Sequence, residues 1–476
     1  METVNISAMI AVSPVFLILS AIFVLCAGII KPLRGAECYA ALLASLVALV
    51  FMRFPATEIS LFGGLAVING ATALIWYVLL TALAGFIFVS MSYRLQHPGT
   101  YYFLMFVSAA GSMLVAAADN LIFAFAASET ALLPLYFLTA CRRGRQGIRA
   151  AYRFSVSGIL FAALSMVGLA FLNYSCPSLS FTGLSKSGLP GGLALVGFIL
   201  FLSGFTFKLA ALPFNFVFRD VFSGAPGAVA AYMASAWTLS GLPVLYKIYS
   251  LFYSGPVHNF FPTVAVLTVA AGSLSAFYSQ DLRKTGTGLL CAGIGFCLLS
   301  FSGEKGGEIA LLYHIPALAA SAAGLFLFSL YFEKEEIAIP MSGLSGFADR
   351  HPVVALSAAV CLFSAAGLPP LGGFFAKFII LFTLLRNGHF MLAMTGIFCL
   401  LFSVLCSLKL ISYVFFSNAS ESADDAVSTY PEQKSLKSGR NEVSPAVNLS
   451  IFLLAVFLSV YGIFSKYFLG KISAFF

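Results

Sequence analysis

Apolar residues dominate the chain in successive runs of roughly 20 residues. A run of that length crosses the roughly 30 Å hydrocarbon core of a membrane as an α-helix. The runs do not alternate polar and apolar positions, which excludes an outer-membrane β-barrel. The pattern therefore predicts an all-α polytopic membrane protein with about fourteen transmembrane helices. The predicted spans, with approximate limits, are 8–30, 38–52, 71–92, 99–118, 120–140, 154–173, 192–220, 226–252, 261–279, 286–302, 309–331, 353–385, 390–416 and 447–469.

Two predicted spans, the seventh and the twelfth, each contain a helix break beside a lysine. In the seventh, Lys208 precedes Leu212-Pro213, and in the twelfth, Lys377 follows the sequence AGLPPLGG at 366–373. Proline and glycine at such positions kink or end a helix. Because the two spans cross the membrane in opposite directions, we expect two inverted repeats, each with a half-channel open to one face.

These features predict five regions along the chain. The predicted regions are 1–118 (helices 1–4), 119–252 (first half-channel repeat), 253–416 (second, inverted repeat), 417–446 (polar cytoplasmic linker) and 447–476 (last transmembrane helix).

Composition and charge support the membrane assignment. Hydrophobic residues make up 60% of the chain and charged residues 9%, against about 25% charged in soluble domains. With the N-terminus outside, sixteen Lys and Arg fall on one side of the membrane and six on the other. This follows the positive-inside rule. The net charge of +8 therefore reflects topology rather than nucleic-acid binding, and we expect both termini outside a cytoplasmic (inner) membrane.

The chain carries no recognisable device for holding a cofactor or a metal. Its nine cysteines form no CxxC pair and have no histidine at ligand spacing, and there is no GxGxxG or phosphate-binding glycine loop. We therefore expect no cofactor and no metal site in this chain.

Glu129 and Lys208 are the first candidate functional residues, because both are predicted near mid-membrane. A charge there costs at least about 2.5–3.5 kcal/mol and usually faces protein or water for a functional reason. If the carboxylate approaches the lysine, the ammonium keeps its proton; if it withdraws, the lysine releases it. A structural ion pair that clamps two helices is the alternative.

Other polar residues have two interpretations each. His314 can relay protons or serve as a hydrogen-bonded packing residue. Lys247 and Lys409 lie near helix ends, where a long side chain reaches the headgroups. The arginines between the fifth and sixth spans set topology, and are equally consistent with contact to anionic lipid or to an acidic neighbouring subunit. These arginines are 142, 143, 145, 149 and 153.

Three stretches resemble the antiporter-like, proton-pumping membrane subunits of respiratory complex I, and most closely the subunit N group of NADH-quinone oxidoreductase. They are SETALLPLYFLTACRR at 128–143, FKLAALPFNFVFRDVFSGAPGAVAAYMA at 207–234 and GFADRHPVVALSAAVCLFSAAGLPPLGGFFAKF at 346–378. The resemblance implies that Glu129 and Lys208 are a coupled pair, that Lys377 is the terminal proton site, and that the eighth and eleventh helices carry the relay.

The chain departs from that family pattern at three positions. Thr238 stands where a lysine is usual, Asn215 stands where histidine is usual after the LPF motif, and Ser128 precedes the key glutamate. The missing lysine has three possible replacements, which are Lys247, His314, or water ordered on Thr238 and Ser240.

The resemblance implies a proton-translocating subunit of an NADH:quinone oxidoreductase-type complex, a translocase that is not catalytic alone. Flavin, iron–sulfur clusters and quinone are then expected in partner subunits, and the partners are other membrane subunits, lipid and protons, or Na⁺. The alternative is a subunit of a secondary cation/proton antiporter or of a membrane-bound hydrogenase complex. A purely structural spacer is a third interpretation, favoured by the lost lysine.

Overall fold

The fold is a bundle of membrane-length helices. A computed structural model describes residues 2–30, 35–55, 57–93, 95–142, 144–188, 191–251, 260–333, 339–417 and 444–475. The predicted linker at 417–446 lies almost wholly outside these residues. The helices of the first half are α1 (Glu2–Ile29), α2 (Glu37–Phe51), α3 (Gly70–Ser90), α4 (Pro98–Ala117), α5 (Leu121–Ala140), α6 (Arg145–Ser175), α7 (Phe181–Ser187), α8 (Gly191–Lys208), α9 (Asn215–Gly224), α10 (Gly227–Tyr232) and α11 (Leu242–Leu251). Those of the second half are α12 (Phe260–Tyr278), α13 (Leu282–Ser300), α14 (Glu304–Phe328), α15 (Phe347–Arg350), α16 (Pro352–Ala366), α17 (Gly372–Arg386), α18 (Phe390–Phe415), α19 (Pro445–Ile463) and α20 (Ser465–Ser473).

Each predicted span corresponds in the structure to one helix or, in the seventh, eighth and twelfth spans, to two successive helices. Among the described residues, 11 helices are long and apolar enough to cross a membrane. Three shorter apolar helices, Ser13–Ile29, Glu37–Phe51 and Pro352–Ala366, match the remaining predictions. The prediction of an all-α polytopic membrane protein is therefore confirmed. The structure adds a small antiparallel hairpin between α2 and α3, with strands β1 (Ile59–Leu61) and β2 (Ala66–Ile68). It also adds the short helices α7, α15 and α20.

The predicted span 226–252 changes its helical winding at mid-length. After α10 the chain forms a π-helix over Met233–Trp237 and a 3₁₀ turn over Leu239–Gly241, and then continues as α11. The Ser235 and Thr238 hydroxyls donate to carbonyls four residues back, at 2.8 and 3.0 Å. Such back-bonding bends helices, and π-bulges occur often at functional sites.

Two helix pairs, α4–α5 and α12–α13, share the same local design. Asn120 caps α5 and Asp281 caps α13 by accepting from the first free backbone N–H groups. Eleven residues after each cap lies an alanine whose backbone meets a glycine of the preceding helix, Gly111 against Ala131 and Gly272 against Ala292. The glycines let the backbones approach closely, as small residues do in membrane helix pairs.

Helix α13 occupies the centre of the second half. Every residue of α13 except Lys284 is buried, and the helix packs against α9, α12, α14, α17 and α18. It therefore has protein neighbours on all sides, whereas α6 and α18 present much of their surface outward.

We expect Gly272→Ala to lower stability through the α12–α13 contact. A methyl group there collides with the backbone of Ala292, and overpacking of this kind costs about 1–3 kcal/mol. The matched control is Gly85→Ala in α3, where a Cβ meets nothing within 4 Å and alanine gains roughly 1 kcal/mol of helix propensity. Thermal unfolding of the detergent-purified protein measures both. An unchanged melting temperature in Gly272→Ala contradicts the close contact.

Candidate functional site

The first helix break begins at Lys208, the last residue of α8. Ala210 then adopts a positive φ of 55°, and α9 begins at Asn215. The second half of the chain satisfies backbone groups that the break exposes. The Leu212 N–H donates to the Thr268 hydroxyl at 3.1 Å, and the Cys291 thiol donates to the Ala210 carbonyl at 3.5 Å.

The Lys208 side chain is buried, with 3% of its surface exposed. Its Nζ makes no hydrogen bond within the part of the chain that the structure describes, while its charge interacts with that of half-buried Glu129 on α5. The two groups interact through their charges, and Lys208 Nζ has no hydrogen bond to Glu129. Their coupling in function stays a prediction. A buried ammonium in this state needs water or a closer carboxylate to satisfy its donors.

The second break separates α16 from α17 and is closed by Lys377. Gly367 has a φ of 90°, and a Cβ there would lie 3.0 Å from Lys377 Cδ. The backbone conformation therefore favours glycine, and a Cβ would also crowd the Lys377 side chain. Lys377 Nζ donates to the Ala365 carbonyl at 2.5 Å, which places a cation at the C-terminal end of α16, where the helix dipole favours it.

Two serines fix the second break to the neighbouring helix α14. The Ser364 hydroxyl oxygen accepts from the Gly373 N–H at 3.1 Å and from the Ser321 hydroxyl at 3.0 Å. The break therefore has a defined geometry despite its two prolines and three glycines.

Helix α13 connects the two breaks. Cys291 contacts the first break at the Ala210 carbonyl, and the Phe296 ring lies 5.1 Å from Lys377 Nζ at the second. These two α13 residues are five positions apart, or roughly 7.5 Å along a helix that rises about 1.5 Å per residue. Between them, the Gly293 carbonyl lies 3.2 Å from His314 Nε2.

His314 is buried on α14, and its charge interacts with that of Lys377. Its Nδ1 makes no hydrogen bond among the described residues. One ring nitrogen therefore contacts α13, while the other has no hydrogen-bond partner among the described residues. The relay and the packing interpretation of His314 both stay predictions.

Thr238 and Ser240 lie in the irregular segment between α10 and α11. Both are fully buried, and each hydroxyl donates to a carbonyl of its own helix, Ser240 to Trp237 at 2.8 Å. The oxygens keep acceptor capacity. The segment adjoins the first lysine, since a Cβ on Gly241 would lie 3.7 Å from Lys208 Cδ, and α14 packs against its π-helical part.

Lys247 lies apart from this group, toward the other end of α11. Its Nζ contacts the Asp119 carboxylate at 3.4 Å and the Ala118 carbonyl at 3.3 Å, and its charge interacts with Glu308. The side chain is 25% exposed. The structure therefore places Lys247 in a separate ion cluster near a membrane face. Sequence reasoning missed Asp119 and Glu308, since neither stands in the middle of a predicted span.

A second cluster that the sequence did not reveal holds the opposite face together around Glu333. This carboxylate meets Arg142 at 3.5 Å and Arg283 at 2.9 Å, and accepts from the Gly227 N–H at the start of α10 at 3.1 Å. Burial, together with the Arg283 charge, lowers the pKa of Arg142. Both guanidinium groups also donate to the Ser223 carbonyl at the end of α9.

Metal-binding geometry is not found among the described residues, where no group of three or more His, Cys, Asp or Glu side chains could hold an ion.

These features define a class of protein: a multi-pass membrane protein in which buried ionisable side chains at two broken helices are joined by a central helix. The family described as "NADH:quinone oxidoreductase/Mrp antiporter, TM" matches residues 118–403. The chain therefore belongs to this family, as the resemblance at sequence level implied.

Individual relatives agree with the family match. The chain is 30% identical over 302 residues to "NADH-quinone oxidoreductase subunit N 2" of Syntrophobacter fumaroxidans, covering 62% of this chain and 64% of that protein. The fold is similar to a chain of respiratory complex I from Thermus thermophilus, with a TM-score of 0.80 and 23% identity over 96% of this chain and 98% of that one. It is also similar to a chain of the Mrp complex from Dietzia sp. DQ12-45-1b, with a TM-score of 0.81 and 18% identity over 100% and 97% of the two chains.

We expect Glu333→Gln to destabilise the protein strongly, because two buried guanidinium groups lose their counter-charge. Breaking a buried ion pair costs about 3–5 kcal/mol. Asp220→Asn is the matched control, since its partner Arg153 is exposed and such surface pairs are worth about 0–1 kcal/mol. Thermal unfolding in detergent distinguishes the two variants, and equal melting temperatures would contradict a structural role for Glu333.

Proposed function

We propose that this chain is the proton-translocating membrane subunit of a redox-driven complex of the NADH:quinone oxidoreductase type, and that it holds no redox cofactor of its own. Electron transfer, with flavin, iron–sulfur clusters and quinone, takes place in partner subunits. The chain spans the cytoplasmic membrane with both termini outside. Family membership and the likeness to subunit N proteins support this assignment.

One observation carries the proposal: a single buried helix, α13, touches both lysine-bearing breaks and the histidine between them. Its Cys291, Gly293 and Phe296 contact the first break, His314 and Lys377 respectively. The three contact positions lie within roughly one and a half turns of α13, and the proposal assigns to water the connection between the sites.

The Glu129–Lys208 interaction supplies the switch. At an effective dielectric constant near 20, a unit charge about 4 Å away is worth roughly 4 kcal/mol. When the carboxylate approaches, Lys208 keeps its proton; when it withdraws, the buried ammonium has no hydrogen-bond partner among the described residues and releases it. The proton then moves by way of the Thr238, Ser240 and His314 region.

Lys377 receives the proton and passes it outward. Its ammonium is held by the Ala365 carbonyl, so loading and unloading of Lys377 is coupled to the geometry of the second break. Two inverted repeats, at 119–252 and 253–416, provide the half-channels. The matched caps and glycine contacts of α4–α5 and α12–α13 support this division.

Thr238 occupies the central position at which the family usually has a lysine. The proposal assigns the proton-relay role of that lysine to water. The hydroxyl oxygens of Thr238 and Ser240 accept hydrogen bonds from water, while Nδ1 of His314 provides the titratable group. Lys247 does not replace the missing lysine, because it is bound to Asp119 in a separate cluster.

We expect Lys208→Ala or Glu129→Ala to abolish proton pumping while electron transfer through the assembled complex continues. Either change removes one half of the switch. Lys409→Ala is the control, because Lys409 Nζ contacts only the Ser279 carbonyl, at 3.5 Å, within the described residues. Proton uptake and quinone reduction, measured together in proteoliposomes, give the ratio of protons to electrons. A wild-type ratio in both variants refutes the mechanism, and a full ratio after Lys377→Ala favours a spacer role.

The second candidate function is a cation/proton antiporter subunit without a redox partner, which the likeness to an Mrp complex chain favours. The same lysines serve either function. The purified complex distinguishes them: we expect a brown preparation with flavin and iron–sulfur absorption. A colourless preparation that exchanges Na⁺ for protons supports the antiporter instead.

A further inference from the structure

A cavity of about 220 Å³ opens at the arginine-rich face of the bundle, between α6, α9 and the start of α13. Four of its lining residues, Gln146, Arg149, Ala150 and Arg153, lie on one side of α6 at helical spacing. Arg142, Arg283 and Lys284 add positive charge from the neighbouring elements.

The acidic residues at this cavity are already engaged. Asp220 pairs with Arg153. Asp281 accepts from the Arg283 and Lys284 backbone N–H groups at the start of α13 and from the Ile339 N–H at 2.9 Å.

Glu333 likewise holds Arg142 and Arg283. Arg149 and Lys284 form no ion pair within the described residues, so two cationic side chains face the cavity without a counter-charge.

The outer side of α6 beside the cavity is apolar. Ile148, Tyr152 and Val156 follow one another at four-residue spacing and are 64%, 68% and 49% exposed. They form a stripe along a helix that is long and apolar enough to cross the membrane. A positively charged cavity that continues into an exposed apolar stripe has the two parts of a phospholipid site.

We propose that this cavity binds the phosphate headgroup of an anionic membrane phospholipid, with Arg149 and Lys284 as its ligands and an acyl chain along the Ile148–Tyr152–Val156 stripe. A basic pocket between membrane helices is a known form of anionic-lipid site. A free phosphate ion would pair with the cationic side chains but would leave the apolar stripe uncovered. The stripe lies on a membrane helix, which favours a lipid as the source of the phosphate. Bound lipid would hold α6 against α9 and α13 at the face where Arg142 and Arg283 meet Glu333.

The test uses the intact complex in nanodiscs that contain phosphatidylglycerol and phosphatidylcholine in equal amounts, with retained lipid read by native mass spectrometry. The variant is Arg149→Gln combined with Lys284→Gln. The control, Arg350→Gln combined with Lys466→Gln, removes the same two charges from exposed positions outside the cavity. We expect wild type and control to retain phosphatidylglycerol preferentially, and the variant to bind it at least about tenfold more weakly, since two hydrogen bonds to the phosphate lose their positive charge.

Three outcomes overturn the proposal. Equal retention of phosphatidylglycerol by the variant and the control shows that the cavity does not bind the headgroup. Displacement of the lipid by an equal concentration of inorganic phosphate identifies a soluble-anion site. A crosslink from Tyr152→Cys to a neighbouring subunit in the intact complex, in place of lipid, identifies a protein interface. The melting temperature of the variant is measured alongside, and unchanged folding with lost lipid supports the proposal.

Discussion

The need to keep two ammonium groups stable inside a low-dielectric bundle governs the rest of this structure. In an unbroken helix the backbone carbonyls accept hydrogen bonds within the helix, so none is free to accept from a lysine side chain. A broken helix exposes carbonyl oxygens and the negative end of its dipole at mid-depth. Lys208 ends α8, and Lys377 reaches back to the Ala365 carbonyl at the end of α16. Both lysines thus lie beside a helix C-terminus, but within the described residues only Lys377 Nζ donates to a carbonyl that the break exposes.

Breaking a helix in turn exposes backbone groups that lipid cannot satisfy. Side chains from elsewhere in the chain form hydrogen bonds with these backbone groups. They include Thr268 and Cys291 at the first break and Ser364 at the second. Because α12 and α13 stabilise the break of the first half, the two halves cannot move independently at this point. In the proposed mechanism, the contacts that support the first break also connect the two lysines.

Much of the architecture was predictable from the sequence, since apolar runs fix the spans and the Pro and Gly clusters at 213 and 366–373 mark the breaks. The features that the sequence did not predict depend mainly on contacts between residues distant in the chain. From the sequence, Lys247 is interpreted as a lysine that faces the headgroups, whereas the structure pairs it with Asp119, which follows α4. Glu333 is one charge of a polar loop in the sequence, whereas in the structure it contacts both Arg142 and Arg283. The π-helix at 233–237 depends on hydroxyl bonding and local packing, which periodicity does not record.

The complete burial of α13 has a consequence for how the protein is made. The ribosome synthesises this helix before α14, α16 and α17, so the nascent α13 has only α12 and the earlier helices against it. Its mid-length residues, such as Cys291 and Phe296, which end up among protein neighbours, would lie partly against lipid at that stage. Complete enclosure of α13 by protein is therefore reached only after α14, α16 and α17 have been inserted.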